Sequence, residues 1–141
     1  MSASTLRLII ALVFFVHGAG HAMGIMPALG LSSVKGWSSR SWLLTPLLGE
    51  TASRIISIVL FAAALAGFLA AALGLMGWLV PHDSWRSLAV ASAVISLAAI
   101  ALFWNAFVTF IPNKLGAIAV DIATLVCLLV LNWPSEADIG F

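Results

Sequence analysis

Two histidines four residues apart, His17 and His21, interrupt one apolar run, and an aspartate, Asp121, interrupts another. Imidazole and carboxylate groups exchange protons near neutral pH, and both are metal ligands. At 100° per residue the two histidines lie about 40° apart on one helical face, which Ile10, Val13, Phe14 and Gly24 share. Counted at 1.5 Å per residue from the near end of its run, His21 lies about 8 Å deep, His17 about 14 Å and Asp121 about 10 Å. Asn105, on a third run, lies about 8 Å from the same side. Three elements therefore place hydrogen-bonding side chains at one level. Glu50 precedes the second run of the chain and is able to fold over the mouth of such a cluster.

A polar cluster in apolar surroundings has two uses. It locks helices together as a clasp, or it binds a substrate, a quinone, a proton or a metal. For a metal, the His-x-x-x-His spacing turns two imidazoles toward one ion, with Asp121 as a third ligand. Gly18, Ala19 and Gly20 fill the interval, so no His-Glu-x-x-His protease motif is present. No other apolar run holds a histidine to complete a bis-histidine haem site. A Walker loop and a nucleophile elbow are also missing. No residue here carries electrons and no cofactor is expected to be bound covalently, so redox chemistry needs an external carrier such as a quinone. Whether the chain is an enzyme stays open.

The elements that hold these residues read as membrane spans. Apolar residues make up 63% of the 141 residues and charged residues 8%, against about 25% charged in a soluble domain. The mean hydropathy is +1.19. A surface so poor in charge suits lipid. Continuous runs without alternation favour helices over barrel strands. The expected fold is all-α, a single four-helix transmembrane bundle over 1–141, with spans near 5–26, 52–79, 87–111 and 114–133. Pro27, Pro81, the Pro112-Asn113 pair and Pro134 punctuate them. The first run is long enough for a span and is read as one, not as a cleaved leader. Small residues mark expected packing stripes: Ile56, Ala63, Gly67, Ala70 and Gly74 on the second helix, and Ala91, Val94, Ala98, Ala101, Asn105 and Thr109 on the third. Gly20 and Gly24 are candidates for a homodimer face.

Four spans put both termini and the 80s loop on one side. Lys35, Arg40, Arg54 and Lys114 lie on the other, against Arg7 and Arg86, so the positive-inside rule puts the termini outside. Glu50 and Arg54, four apart, read as an interfacial ion pair. Most of the six tryptophans lie near span ends and read as an aromatic belt. The 27–51 loop, with Trp37 and Trp42, is expected on the membrane surface, partly covering the bundle. His82 reads as an ordinary loop residue and Asn132 as a cap or interface residue. The net charge of +1 gives no field for nucleic acid. The lone Cys127 excludes an internal disulfide. The expected partners are the lipid bilayer and a second copy or a membrane-complex subunit.

The string Arg7-Leu8-Ile9-Ile10-Ala11-Leu12-Val13-Phe14-Phe15-Val16-His17-Gly18 resembles the opening span of the DoxX-like family of small four-span membrane proteins. Glu50 and the Gly116 to Asp121 stretch look similar to it as well. The resemblance implies four helices in a bacterial or archaeal plasma membrane. In some members it implies sulfur or oxidative-stress redox chemistry, DoxD-type relatives being part of thiosulfate:quinone oxidoreductases. His17, Gly18 and Glu50 match the family pattern, and His21 departs from it. Three functions compete: a redox-linked protein whose pocket binds a quinone or similar lipophilic molecule, a non-catalytic subunit of a larger complex, and a small-molecule exporter. Exporters of four spans use a glutamate in the first span, where this chain has histidines.

Overall fold

A computed structural model describes residues 2–32, 34–107, 111 and 113–141. The described residues form helices joined by turns and loops, with no strand. The helices are α1 (Ala3–Gly20), α2 (Ala22–Ile25), α3 (Leu44–Leu75), α4 (Trp85–Leu102), α5 (Leu115–Leu125) and α6 (Glu136–Ile139). Three stretches are long and apolar enough to cross a membrane: Ala3–Ile25, Leu44–Leu75 and His82–Leu102. A shorter apolar helix covers Leu115–Val130.

α1 starts on Ser2, whose hydroxyl accepts the Thr5 amide at 3.2 Å. At His21 the turn tightens, the His21 amide reaching Gly18 O at 3.0 Å, and α2 continues the rod. α3 breaks at Gly49, whose φ of 86° only glycine adopts at ease. The continuous part, residues 50–75, is about 39 Å long at 1.5 Å per residue, longer than a bilayer core of about 30 Å. α5 widens into a π turn over Val126–Val130, where the Leu131 amide bonds Val126 O at 3.0 Å.

α1 packs on α3, α3 on α4, and α4 on α5. Close approach of α1 and α2 to α3 depends on one glycine in each, Gly18 and Gly24. A Cβ on Gly18 would lie 2.9 Å from Phe68 Cβ, and one on Gly24 would lie 2.4 Å from Phe61 Cγ. Gly24 is thus spent on an internal contact. One core cluster holds Phe14, Phe68, Leu75, Trp85, Leu128 and Ile139, and a second holds Phe61, Phe103 and Phe107.

The small-residue stripes need correction. Of the third-helix stripe, Ala91, Val94, Ala98, Ala101 and Asn105 are exposed, and Thr109 lies outside the described residues. The buried face of α4 is Trp85, Ala89, Ser92, Ala93, Ser96, Ala99 and Ile100. Alanine is indifferent to lipid or protein, whereas a serine hydroxyl turns toward protein acceptors, so the serines mark the face. On α3 the buried face runs through Ser53, Ser57, Phe61, Ala64, Phe68, Gly74 and Leu75, so that of the expected stripe Gly74 is buried, Ile56, Gly67 and Ala70 are partly buried, and Ala63 is exposed. Gly67 on its flank still makes a close contact: a Cβ there would fall 2.1 Å from Ser92 Oγ. Trp85 is not a belt residue, being fully buried against Phe14.

The third helix ends at Leu102, where a span to 111 is expected; residues 108–110 of that stretch lie outside the described residues. The 27–43 segment ends it. Ser41 Oγ donates to Leu102 O at 2.5 Å, Trp42 Nε1 donates to Ala101 O at 2.8 Å, and the Ser38 amide donates to Ala106 O at 3.1 Å. Carbonyls that would continue the helix are thereby satisfied from the loop. Trp37 stands edge-on to Phe107 with centroids 6.2 Å apart, so the loop covers that end of the helices.

At the other end the chain termini meet. The Arg7 guanidinium lies 4.7 Å from the Phe141 ring centroid, and Ile139 is fully buried in the core. His82 is more than a loop residue. Its Nε2 meets Glu136 Oε2 at 2.8 Å, its Nδ1 meets Gly74 O at 3.1 Å, and its ring stacks on Phe141 at 3.5 Å. Arg86 donates to the carbonyls of Asn132 and Pro134.

Candidate functional site

Three of the five sequence candidates converge and two do not. His17 Nε2 lies 2.8 Å from Asp121 Oδ1, linking α1 to α5. His21 reaches the same carboxyl through a residue the sequence did not single out. Its Nε2 lies 2.7 Å from Ser96 Oγ, and Ser96 Oγ lies 2.5 Å from Asp121 Oδ2. His21 Nδ1 donates to His17 O at 2.9 Å, because a carbonyl only accepts. The four side chains and one carbonyl close a ring of hydrogen bonds across α1, α4 and α5. Asp121 and Ser96 are completely buried, and His21 is 5% exposed.

The ring is held between aromatic walls. His17 stands edge-on to Phe68 at 4.7 Å, and the two imidazoles meet edge to face at 4.9 Å. His21 lies 5.8 Å from Phe68 and 6.3 Å from Phe61. Water is kept from the Asp121 side, so each polar atom there depends on its protein partner.

Asn105 does not join this ring. Counting it five residues before the end of a helix assumed that the helix continued, but α4 ends at Leu102 and Asn105 sits exposed on a 3₁₀ turn, Trp104–Ala106. Its expected place is filled by Ser96. The signal was present in the sequence: Ser92 and Ser96, four apart, share one face of an Ala- and Leu-rich helix. Glu50 is also remote. It is exposed and pairs with Arg40 at 3.2 Å, not with Arg54 as expected, because the break at Gly49 leaves it beside the loop. Both partners are more than half exposed, so the pair contributes about 0–1 kcal/mol.

A cavity of 600 Å³ opens beside the ring, lined by His17, His21, Leu12, Val16, Gly20, Met23, Phe61, Phe107, Asn113, Gly116, Ala117 and Val120 among others. It lies between α1 and α5, which meet chiefly through the His17–Asp121 bond. A second cavity of 190 Å³ continues along the same seam past Val13 and Val120 toward Trp133. Leu12 and Val16 on the rim of the first are exposed, so the seam opens sideways, into lipid if the helices span a membrane. Nearly all the surface inside is hydrocarbon. The polar groups are the two imidazoles and the Asn113 amide.

Among the described residues no three His, Cys, Asp or Glu side chains come together to hold a metal ion. His17, His21 and Asp121 were the candidate set. His21 turns its Nε2 to Ser96 and its Nδ1 to a carbonyl, which leaves neither nitrogen for a shared ion. What the arrangement suits is proton exchange with a ligand in the cavity, the carboxyl and the second imidazole standing behind His17. Comparisons with protein-family models, with curated proteins and with solved structures found no match to this chain.

Proposed function

We propose that this chain is a multi-pass plasma-membrane protein, a four-span bundle that takes a lipophilic small molecule into its lateral cavity and exchanges a proton with it at His17. The observation that carries this reading is a hydrogen-bonded His–Asp–Ser–His ring in the wall of a 600 Å³ hydrocarbon-lined cavity. A quinone-type molecule fits the reading, because its redox change takes up or releases protons while an external carrier handles the electrons. The first-helix string that resembles the DoxX-like family points the same way. α5 with its π turn, Leu115–Val130, supplies the fourth span. The contact of Arg7 with Phe141 favours termini on one side of the membrane, and the lysine and arginine count favours the outside.

Mass spectrometry of the detergent-purified protein, with solvent extraction, tests the proposal. A lipophilic compound should copurify with the wild type and be lost from Ala117→Leu, which narrows the cavity and replaces no member of the ring. Equal recovery from both proteins would refute it. A second reading, as a subunit of a larger complex, rests on the exposed small face of α4, where Ala91, Ala98 and Ala101 allow another helix to approach closely. A partner protein retained in mild detergent by the wild type and lost from Ala98→Leu would favour it.

A further inference from the structure

We infer that the ligand of the lateral cavity is a hydroxyl donor, a lipophilic phenol, and that His17 Nδ1 is the atom that receives its hydrogen bond. The inference rests on the reading of the cavity as a ligand site and comes from counting hydrogens around the ring. Between Asp121 Oδ2 and His21 Nε2 stands the single hydroxyl hydrogen of Ser96. His21 Nδ1 is already committed as a donor to His17 O. Both bonds of Ser96 form in only two ways. Either Asp121 is protonated on Oδ2 and donates to Ser96, which donates to His21; or Ser96 donates to Asp121 carboxylate and His21 donates as an imidazolium. The two contain the same number of protons.

A net charge in a hydrocarbon-walled site is disfavoured, so the ring as a whole is neutral. With either arrangement that requires a neutral His17. In both, Asp121 Oδ1 is an acceptor, so His17 carries its one hydrogen on Nε2 and donates it there at 2.8 Å. The alternative neutral state, imidazolium at His17 and carboxylate at Asp121, leaves one Ser96 hydrogen between two acceptors and loses a bond. His17 Nδ1 is therefore a bare lone pair. It has no hydrogen-bond partner among the described residues, and its ring lines the cavity.

A bare lone pair binds an O–H and repels a carbonyl oxygen. For a molecule with two redox forms, the site takes the hydroxylic form and rejects the dione. The alkyl tail of such a phenol has a path along the seam past Val13 and Val120. If the proton is transferred, the O–H bond breaks with its electron pair left on the phenolate oxygen. The proton then forms N–H on Nδ1, while Nε2–H still donates to Asp121.

The test compares para-octylphenol with para-octylanisole, which differ only in the capped hydroxyl, by equilibrium dialysis of the full chain against protein-free micelles. The phenol should bind about tenfold more tightly, and His17→Phe should bring the ratio to about one. Asp121→Asn should keep the preference, because the amide oxygen accepts from His17 while the amide nitrogen donates to Ser96. Nitrogen NMR of the unliganded wild type should show His17 as the Nε2–H tautomer, a readout that needs no variant to fold. Equal binding of phenol and ether, or an Nδ1–H tautomer at His17, would overturn the inference and leave the cavity reading standing. Binding of neither compound above the micelle control would overturn the cavity reading and this inference with it.

Discussion

His21 and Asp121 do not touch each other; both hold the same oxygen, Ser96 Oγ, at 2.7 and 2.5 Å. The consequence for stability is specific. Ser96→Ala strands two buried polar atoms at once, a change that costs about 1–3 kcal/mol for each group left without a partner. Ser92→Ala is the matched control, since Ser92 Oγ only donates to Leu88 O on its own helix at 2.7 Å. Thermal melting in detergent should show a clear drop for Ser96→Ala and a small one for Ser92→Ala. Equal melting of the two variants would mean that Ser96 does not bridge α1 to α5.

The glycines should sort by the space around them. Gly24→Ala drives a methyl into the Phe61 ring, 2.4 Å from Cγ, and Gly18→Ala meets Phe68 Cβ at 2.9 Å. Overpacking of this kind costs about 1–3 kcal/mol. Gly20→Ala meets only Met23 Cε at 4.0 Å and should be neutral or slightly stabilising. Ala98→Leu, on the exposed face of α4, should leave the monomer's melting unchanged. If Gly20→Ala were as damaging as Gly24→Ala, the contact between α1 and α3 would be misplaced.

How much of this was legible in the sequence depends on what decided each feature. The meeting of His17 with Asp121 follows from depth along two helices, which the sequence gives by counting residues. Asn105 was misplaced because the end of α4 is set by Ser41 and Trp42, more than fifty residues away, and no local pattern near Leu102 announces it. The exposed stripe of α4 was misread for a different reason: in a helix apolar all round, small residues do not tell lipid from protein. Ser92 and Ser96 do, since a hydroxyl in hydrocarbon seeks a partner. Helical spacing pairs Glu50 with Arg54, and that spacing holds after the break, but Glu50 directly follows Gly49 and meets Arg40 of the loop instead.

The C-terminal turn should loosen in acid. Asp138 closes a capping box on α6, its Oδ2 accepting from the Ser135 amide and hydroxyl at 2.8 Å. The hydrogen bond from the Ser135 side chain, then that from its backbone, holds the Asp138 carboxyl below its usual value of 3.8. A lowered folded-state value means that the contribution to stability is full above the unfolded value and is lost as pH falls through the folded one. The window is therefore below about pH 3.8. The protection of the Ile139 amide, its exchange relative to the intrinsic rate at each pH, should fall there in the wild type, and in Ser135→Ala it should be lower already at neutral pH. An Ile139 amide indifferent to Ser135→Ala would show that the box does not hold the turn.

The sharpest contrast belongs to Asp121 itself. In a site where only the ionised carboxylate mattered, Asp121→Asn would be as harmful as Asp121→Leu. The Ser96 bridge gives a different expectation. An asparagine reproduces the protonated carboxyl, its oxygen accepting from His17 Nε2 and its nitrogen donating to Ser96, so every bond of the ring survives without a charge. Asp121→Leu removes the partner of both and leaves His17 Nε2–H and Ser96 facing hydrocarbon. The leucine variant should therefore lose about 2 kcal/mol or more relative to the asparagine variant. The missing contact should also appear in a double-mutant cycle of Asp121→Leu with His17→Phe. Once the imidazole is gone, the loss of its acceptor no longer matters, and a coupling of about 0.5–3 kcal/mol is expected for groups in contact. Reversible unfolding in mixed micelles measures the four proteins of the cycle and the asparagine variant. Additive effects would place His17 and Asp121 out of contact, and an asparagine variant as unstable as the leucine one would show that the ring depends on a charge at Asp121.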